Sequence, residues 1–326
     1  MMRFLFSIAL IPLGLAVGLG IRNIIRTQKN KDALTEKIRK TMQIVVLLFT
    51  NPVAFAGAVW ALPLENLEIM ILPVLGFLAI AISGVYSIVY TRNKKMTRPM
   101  RGSHFCVSFY TNIGSIGALV IYALLGEPGF ILLPFYKLVE PLMYFAVGFP
   151  VASLFGEEKH KDKRSILQIL KDPFVMVSMG GIFLGLLFNL LGLPRPAFYS
   201  GLNNILVPLG SFLLLISIGI AMHFQSIKKY ALSTTSILTI KYILVPLTVT
   251  TAAYILGMGR IMNGLPLKVV FILSSMPSGF MAIMPASLYN LDLDYANTGW
   301  LASMIALVVV VPWLYFCLNY IIPYLI

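Results

Sequence analysis

Charge is what this sequence has least of: 11% of its 326 residues are Asp, Glu, Lys or Arg, against about 25% in an ordinary soluble domain. Apolar residues make up 59%, and the mean hydropathy is +0.88. The apolar runs recur from end to end, which excludes a soluble domain on a single anchor. Two cysteines and three histidines leave no room for a disulfide framework or a Cys/His metal centre. Cys106 and Cys317 fall inside apolar runs, and His104, His160 and His223 are far apart, without metal-ligand spacing. No Ser/His/Asp arrangement and no phosphate-cradling Gly loop ending in Lys-Ser/Thr is present. Neither an enzyme nor an ATP-driven pump is therefore expected, and no cofactor or metal. Asp292-x-Asp294 is a single acidic pair in a short loop and reads as a helix-exit turn. Met1-Met2-Arg3 leads into an apolar run that lacks a small-x-small cleavage site, so the first run reads as a retained helix.

What is there fits a bilayer. About 20 apolar residues cross a hydrocarbon core of roughly 30 Å, and ten such runs fit the chain, at 4–21, 42–62, 68–90, 104–125, 132–155, 173–191, 202–222, 234–256, 267–289 and 300–322. The expected class is an all-α, multi-pass integral membrane protein of a plasma or inner membrane. Trp60, Trp300 and Trp313 lie toward run ends, as interfacial anchors do. The net charge of +13 sits almost wholly in the connections, which argues against a nucleic-acid partner and for membrane lipids. Alternate connections hold 19 Lys and Arg against 3. The positive-inside rule then puts both termini outside and the 156–172 loop in the cytoplasm.

That loop is the most polar stretch and divides the chain into 1–156, a linker 157–172, and 173–326, with five runs on each side. An odd number per half means that halves of one fold insert with opposite topology, the inverted-repeat plan of many secondary transporters. Gly14-x-x-x-Gly18 in run 1 answers Gly181-x-x-x-Gly185 in run 6, and Pro52 in run 2 answers Pro208 in run 7.

Broken apolar segments at matching positions of two halves point to a transport site. Run 4 contains Thr111-Asn112-Ile113-Gly114-Ser115-Ile116-Gly117, and run 9 contains Met276-Pro277-Ser278-Gly279, each the fourth run of its half. Asn, paired Gly and Pro weaken a helix and free backbone groups, which membrane depth tolerates only beside protein or a water-lined cavity. The start of a half-helix there would present N–H groups to an anion.

The Asn112-Gly114-Gly117 stretch, followed by Leu125-Gly126-Glu127, resembles the fourth span of the auxin efflux carrier family. Met276-Pro277-Ser278 with Tyr289-Asn290-x-Asp292 is similar to the family's ninth span and its exit. The stretches from Pro208 to Gly219 and from Tyr242 to Pro246 are similar to the seventh and eighth. The resemblance covers nearly the whole chain in span order. It implies ten spans in a five-plus-five inverted repeat, crossing broken helices, a homodimer, and transport of organic anions. It also implies that spans 3–5 and 8–10 move against a scaffold of spans 1, 2, 6 and 7. Leu119 stands where the family usually has proline, so the break in span 4 has to rest on Asn112, Gly114 and Gly117. Met281 stands where span 9 commonly offers a second asparagine.

Charges inside spans mark function or pairing. Lys137 and Glu140, at i,i+3 spacing in run 5, share a face. They read either as a salt bridge or as a working pair, with Glu140 titrating or binding a coupling cation and Lys137 meeting an anionic substrate. Lys241, about a turn and a half into run 8, is expected to snorkel to the cytoplasmic face. Asn51-Pro52 sets an amide beside a helix interruption, as part of the site or as a packed kink.

Together these readings describe a secondary active transporter moving a small organic anion, a carboxylate in the first instance, by alternating access, with protons or sodium ions as the candidate coupling species. Its candidate substrate residues are Asn51, Thr111, Asn112, Gly114, Lys137, Pro277 and Ser278, with Glu140 as the coupling residue. Two other readings stay open. One is a carrier of the bile-acid/sodium symporter type, which shares the general layout. The other is a membrane sensor that binds a lipid or metabolite without transporting it.

Overall fold

The computed structural model describes residues 2–25, 31–62, 67–156, 173–222 and 227–326. The linker at 157–172, with its expected cytoplasmic placement, lies outside the described residues, as does His223. Among the described residues the secondary structure is helical throughout, with one isolated β-bridge and no strand. Among the described residues six stretches are long and apolar enough to cross a membrane: Ala33–Trp60, Glu68–Arg92, Ile113–Tyr136, Phe198–Ala221, Thr235–Ile255 and Leu293–Tyr324. Shorter apolar helices cover Ala9–Ile25, Met179–Leu190 and Met262–Ser274. Ile113–Tyr136 is not one straight rod, because Gly126 has φ 67° and ψ −158°, a conformation open only to glycine. Past this corner Glu127 pairs with Arg195 and accepts a 3.2 Å hydrogen bond from Asn203.

The chain folds into two compact units, each drawn from several segments. The first comprises Met1–Asn66, Gly114–Pro134 and Leu170–Met222. In it the Met2–Ile25 helix lies along Phe198–Ala221, and Pro173–Leu190 lies along Asn51–Trp60. Glycine makes both contacts. A Cβ on Gly18 would stand 2.3 Å from the Ile216 carbonyl oxygen, and one on Gly181 would stand 2.5 Å from that of Pro52. Lipid supplies no hydrophobic drive between helices, so such backbone-to-backbone approach is how apolar helices gain contact energy. Asn51 and Gly114, two of the candidate site residues, belong to this unit; Gly114 is the first residue of its middle segment, and Asn51 stands apart. It opens the Asn51–Trp60 helix and is half-buried.

The second unit comprises Leu67–Ile113, Phe135–Ile169 and His223–Ile326. Here Leu72–Arg92 packs on Arg98–Phe109 and on Val245–Ile255, while Leu293–Tyr320 packs on Arg98–Phe109. Gly76 lets the Leu72–Arg92 helix touch the chain where it turns at Tyr136: a Cβ there would lie 1.9 Å from the Tyr136 carbonyl oxygen. Trp300 is buried edge-on against Phe280, at 5.5 Å between ring centres, so it is a core residue and not the interfacial anchor expected. Trp313 is half-exposed, within the Leu293–Tyr320 helix. Asp292 starts a helix rather than ending one: its carboxylate accepts from Tyr295 N–H at 2.9 Å and from the Tyr230 hydroxyl at 2.8 Å.

Three π turns, Val46–Thr50, Tyr144–Gly148 and Ile240–Leu244, end two residues before Pro52, Pro150 and Pro246. Proline brings no N–H and crowds the carbonyl one turn back, and the wider turn absorbs the misfit. A fourth π turn, Ile113–Gly117, ends two residues before Leu119, where no proline stands.

Candidate functional site

The site is built in the second unit around the end of one helix. Arg98–Phe109 starts on Thr97, whose hydroxyl accepts from Met100 N–H at 3.4 Å, and stops at Tyr110, which is extended at φ −79° and ψ 126°. A helix end leaves carbonyls without intrahelical partners, and at membrane depth each needs one. They are met by side chains and by the second break. Val107 O accepts from the Ser278 hydroxyl at 2.7 Å, and Ser108 O from the Ser83 hydroxyl at 2.7 Å. Tyr110 O accepts from Gly279 N–H at 2.9 Å and from the Lys241 amine at 3.2 Å. Thr111 O accepts from the Tyr144 hydroxyl at 2.8 Å.

The second break follows Leu265–Ser274. Beyond Ser275 the chain runs extended through Pro277 and Ser278 before Phe280–Ala282 resumes a helical turn. Thr111 and Ser278 pair as an antiparallel β-bridge, and Asn112 N–H donates to Pro277 O at 2.8 Å. Ser278 N–H is taken by the Ser303 hydroxyl at 3.1 Å. Gly279 is needed here, because a Cβ would stand 2.9 Å from Thr111 O. Two interrupted helices thus complete each other's backbone hydrogen bonds.

Charged side chains run up to this pairing. Lys137 lies in a turn that interrupts the fifth apolar run, which the sequence reading treats as continuous. Its ammonium is 3.3 Å from the Glu140 carboxylate. Glu140 is buried, at 8% exposure, and its other oxygen faces the Tyr144 hydroxyl at 2.9 Å. That hydroxyl accepts from Thr111 N–H at 2.8 Å and faces two acceptors, Glu140 Oε1 and Thr111 O, with a single proton. Lys241 closes the chain of contacts from the other side, donating to Thr111 Oγ1 at 2.6 Å.

Of the candidate residues, Thr111, Asn112, Pro277 and Ser278 meet at the paired breaks. Lys137 and Glu140 reach them through Tyr144, and Gly114 follows in the Ile113–Gly117 π turn. Tyr110, Tyr144 and Lys241 were not among the candidates. Lys241 corrects the snorkelling expectation: at 1% exposure its amine points into the protein, not toward a membrane surface. The available signal was its depth, since a charge more than a turn inside a span is by default at work.

Comparison with known proteins bears on the same span of chain. The membrane transport protein family pattern matches residues 27–315. An uncharacterized transporter of Methanothermobacter thermautotrophicus is 23% identical over 283 residues, covering 86% of this chain and 89% of its own. An uncharacterized transporter of Methanocaldococcus jannaschii is 25% identical over 260 residues, covering 78% and 81%.

Proposed function

Since the chain belongs to the membrane transport protein family, a multi-pass integral membrane protein of transport, we propose that it is a secondary active transporter of a small organic anion, a carboxylate in the first instance. The observation that carries this reading is the mutual pairing of the two helix breaks, Thr111 with Ser278 and Asn112 with Pro277. Irregular backbone at membrane depth is tolerated only where it is buried in protein or lines a water-filled cavity, and in secondary transporters paired broken helices form the substrate site. Lys137, with its side chain about a fifth exposed, supplies positive charge beside them.

Alternating access in a ten-span, five-plus-five repeat is the mechanism we assign. Its support is a correspondence of contacts: run 1 packs on run 7, and run 6 packs on run 2, the pairs that an exchange of the halves would interconvert. The two compact units divide the chain nearly as a scaffold of spans 1, 2, 6 and 7 and a mover of spans 3–5 and 8–10 would. The difference is Gly114–Pro134, which groups with the first unit. Both termini face outside in this reading.

Glu140 is the coupling residue. As a carboxylate it accepts a hydrogen bond from the Tyr144 hydroxyl. Once protonated, it donates to the Tyr144 oxygen, and the Tyr144 hydrogen turns to Thr111 O. Loading Glu140 with a proton therefore changes the bonding of the peptide at the break itself.

The test is uptake by purified protein in liposomes, with radiolabelled mono- and dicarboxylates under imposed pH and sodium gradients. Saturable counterflow is expected. Thermal stabilisation by one of these anions without flux would overturn transport in favour of a sensor.

A further inference from the structure

The reading above leaves Lys241 without a task. Its amine is buried at 1% exposure and is carried by the Ile240–Leu244 π turn, a type of insertion frequent at functional sites. Two of its three N–H donors are spoken for by Tyr110 O at 3.2 Å and Thr111 Oγ1 at 2.6 Å. Both belong to the C-terminal end of the Arg98–Phe109 helix, where the peptide dipoles sum to negative charge. Glu140 lies within electrostatic reach and is linked to the Tyr110–Thr111 peptide through Tyr144, whose hydroxyl accepts from Thr111 N–H.

Half-helix C-termini and unwound carbonyls are where broken-helix carriers hold a coupling cation. A carbonyl, a hydroxyl and a nearby carboxylate make the oxygen-rich, anionic surroundings that a hard monovalent cation would enter. In this protein a side chain is already there. We propose that the Lys241 ammonium is a tethered counter-cation for the helix break: it takes the position and the electrostatic task of an exchangeable metal cation, so this break needs none. The coupling consequence rests on the transporter reading, but the cation site itself does not.

A lysine serving only as a hydrogen-bonding strut and a lysine serving as a cation part company when the side chain is cut away. Lys241→Ala leaves a channel the length of propylammonium, ending at Tyr110 O and Thr111 Oγ1. Purified protein in detergent is melted in equal concentrations of choline, sodium and propylammonium chloride. Wild-type Tm is expected to be the same in choline and sodium. A specific rise of wild-type Tm in sodium would overturn the proposal, because it would show a cation site still open, and this arm holds even if the variant fails to purify. Lys241→Ala is expected to melt lower and to regain about 2–4 °C in propylammonium over choline. No gain in either small cation would overturn the proposal, as would Lys241→Met melting like wild type. In liposomes, wild-type carboxylate uptake should survive replacement of sodium by choline. Uptake by Lys241→Ala should fall about tenfold or more and partly return with propylammonium. If wild type moves none of the anions, the transporter reading fails while the melting arms still decide the role of Lys241.

Discussion

Asn112 N–H donates to Pro277 O at 2.8 Å, so the break in one helix supplies the missing donor for the break in another. Neither break is stable alone. Each leaves carbonyls that only the other, or a side chain aimed at it, can satisfy.

Asn112→Ala keeps that backbone bond, which needs no side chain, and removes the amide. Ligand binding is expected to weaken by roughly 1–3 kcal/mol, the scale of leaving a buried partner unpaired, with little change in surface expression. Pro277→Ala should lower turnover more than affinity, because an N–H at this position lets the helix run on through the break. Affinity measured beside single-turnover exchange separates the two, and wild-type affinity in Asn112→Ala would remove that residue from the site.

Glu140→Gln tests coupling. Gln can still face the Tyr144 hydroxyl, but it cannot alternate between accepting and donating a titrating proton. The variant should fold, and its flux should lose the pH dependence of wild type. The competing role is the ion pair with Lys137. Failure to fold, with rescue by exchanging the two charges, would assign Glu140 to structure, at a cost of about 1–3 kcal/mol when the pair is broken.

Much of this was readable from residue types. The breaks fall at or beside Asn112 and Pro277, residue types that disfavour helix by themselves, whereas Gly114 and Gly117 lie inside the π turn that follows the first break. The glycine contacts at Gly18 and Gly181 were readable as motifs, though not as a pairing of runs 1 with 7 and 6 with 2. Lys241 was not readable. A lysine at that depth can bend to the membrane surface or turn inward, and the choice was made by Tyr110 and Thr111, distant in sequence. The turn at Lys137 and the role of Tyr144 escaped for the same reason. Partners from elsewhere in the chain hold them, and the run around them is apolar without interruption.

Glycines that touch backbone should differ sharply from those that do not. Gly18→Ala and Gly181→Ala set a methyl 2.3 and 2.5 Å from carbonyl oxygens, whereas Gly20 and Gly180 have nothing within 4 Å. The first two should lower Tm, by about 1–3 kcal/mol of overpacking. Gly20→Ala and Gly180→Ala should hold or gain slightly, since alanine costs about 0.5–1 kcal/mol less than glycine inside a helix. Equal melting of all four would break the link between these contacts and stability.

Topology can be checked by labelling. With cysteine placed at position 160, in a protein whose own Cys106 and Cys317 are buried, an impermeant reagent should react only after permeabilisation. Reaction in intact cells would reverse the assigned orientation.

Leu119 offers a test of why the π turns sit where they do. Val46–Thr50, Tyr144–Gly148 and Ile240–Leu244 each end two residues before a proline, and Ile113–Gly117 ends two residues before Leu119. A proline inside a regular helix costs about 3 kcal/mol or more, through a lost hydrogen bond and a clash with the carbonyl one turn back. At position 119 the preceding turn is already widened, and the residues before it, Thr111 and Asn112, have left the helix to pair with Ser278 and Pro277. Leu119→Pro should therefore cost clearly less than that figure and leave the Asn112–Pro277 bond in place. Ile121→Pro, two residues further along the Ala118–Tyr136 helix and fully buried, should incur the full penalty. Thermal unfolding of the two variants side by side is the measurement. If both melt alike, the π turn is no adaptation to a proline-sized misfit, and the break at Asn112 owes its shape to the pairing with Pro277 alone.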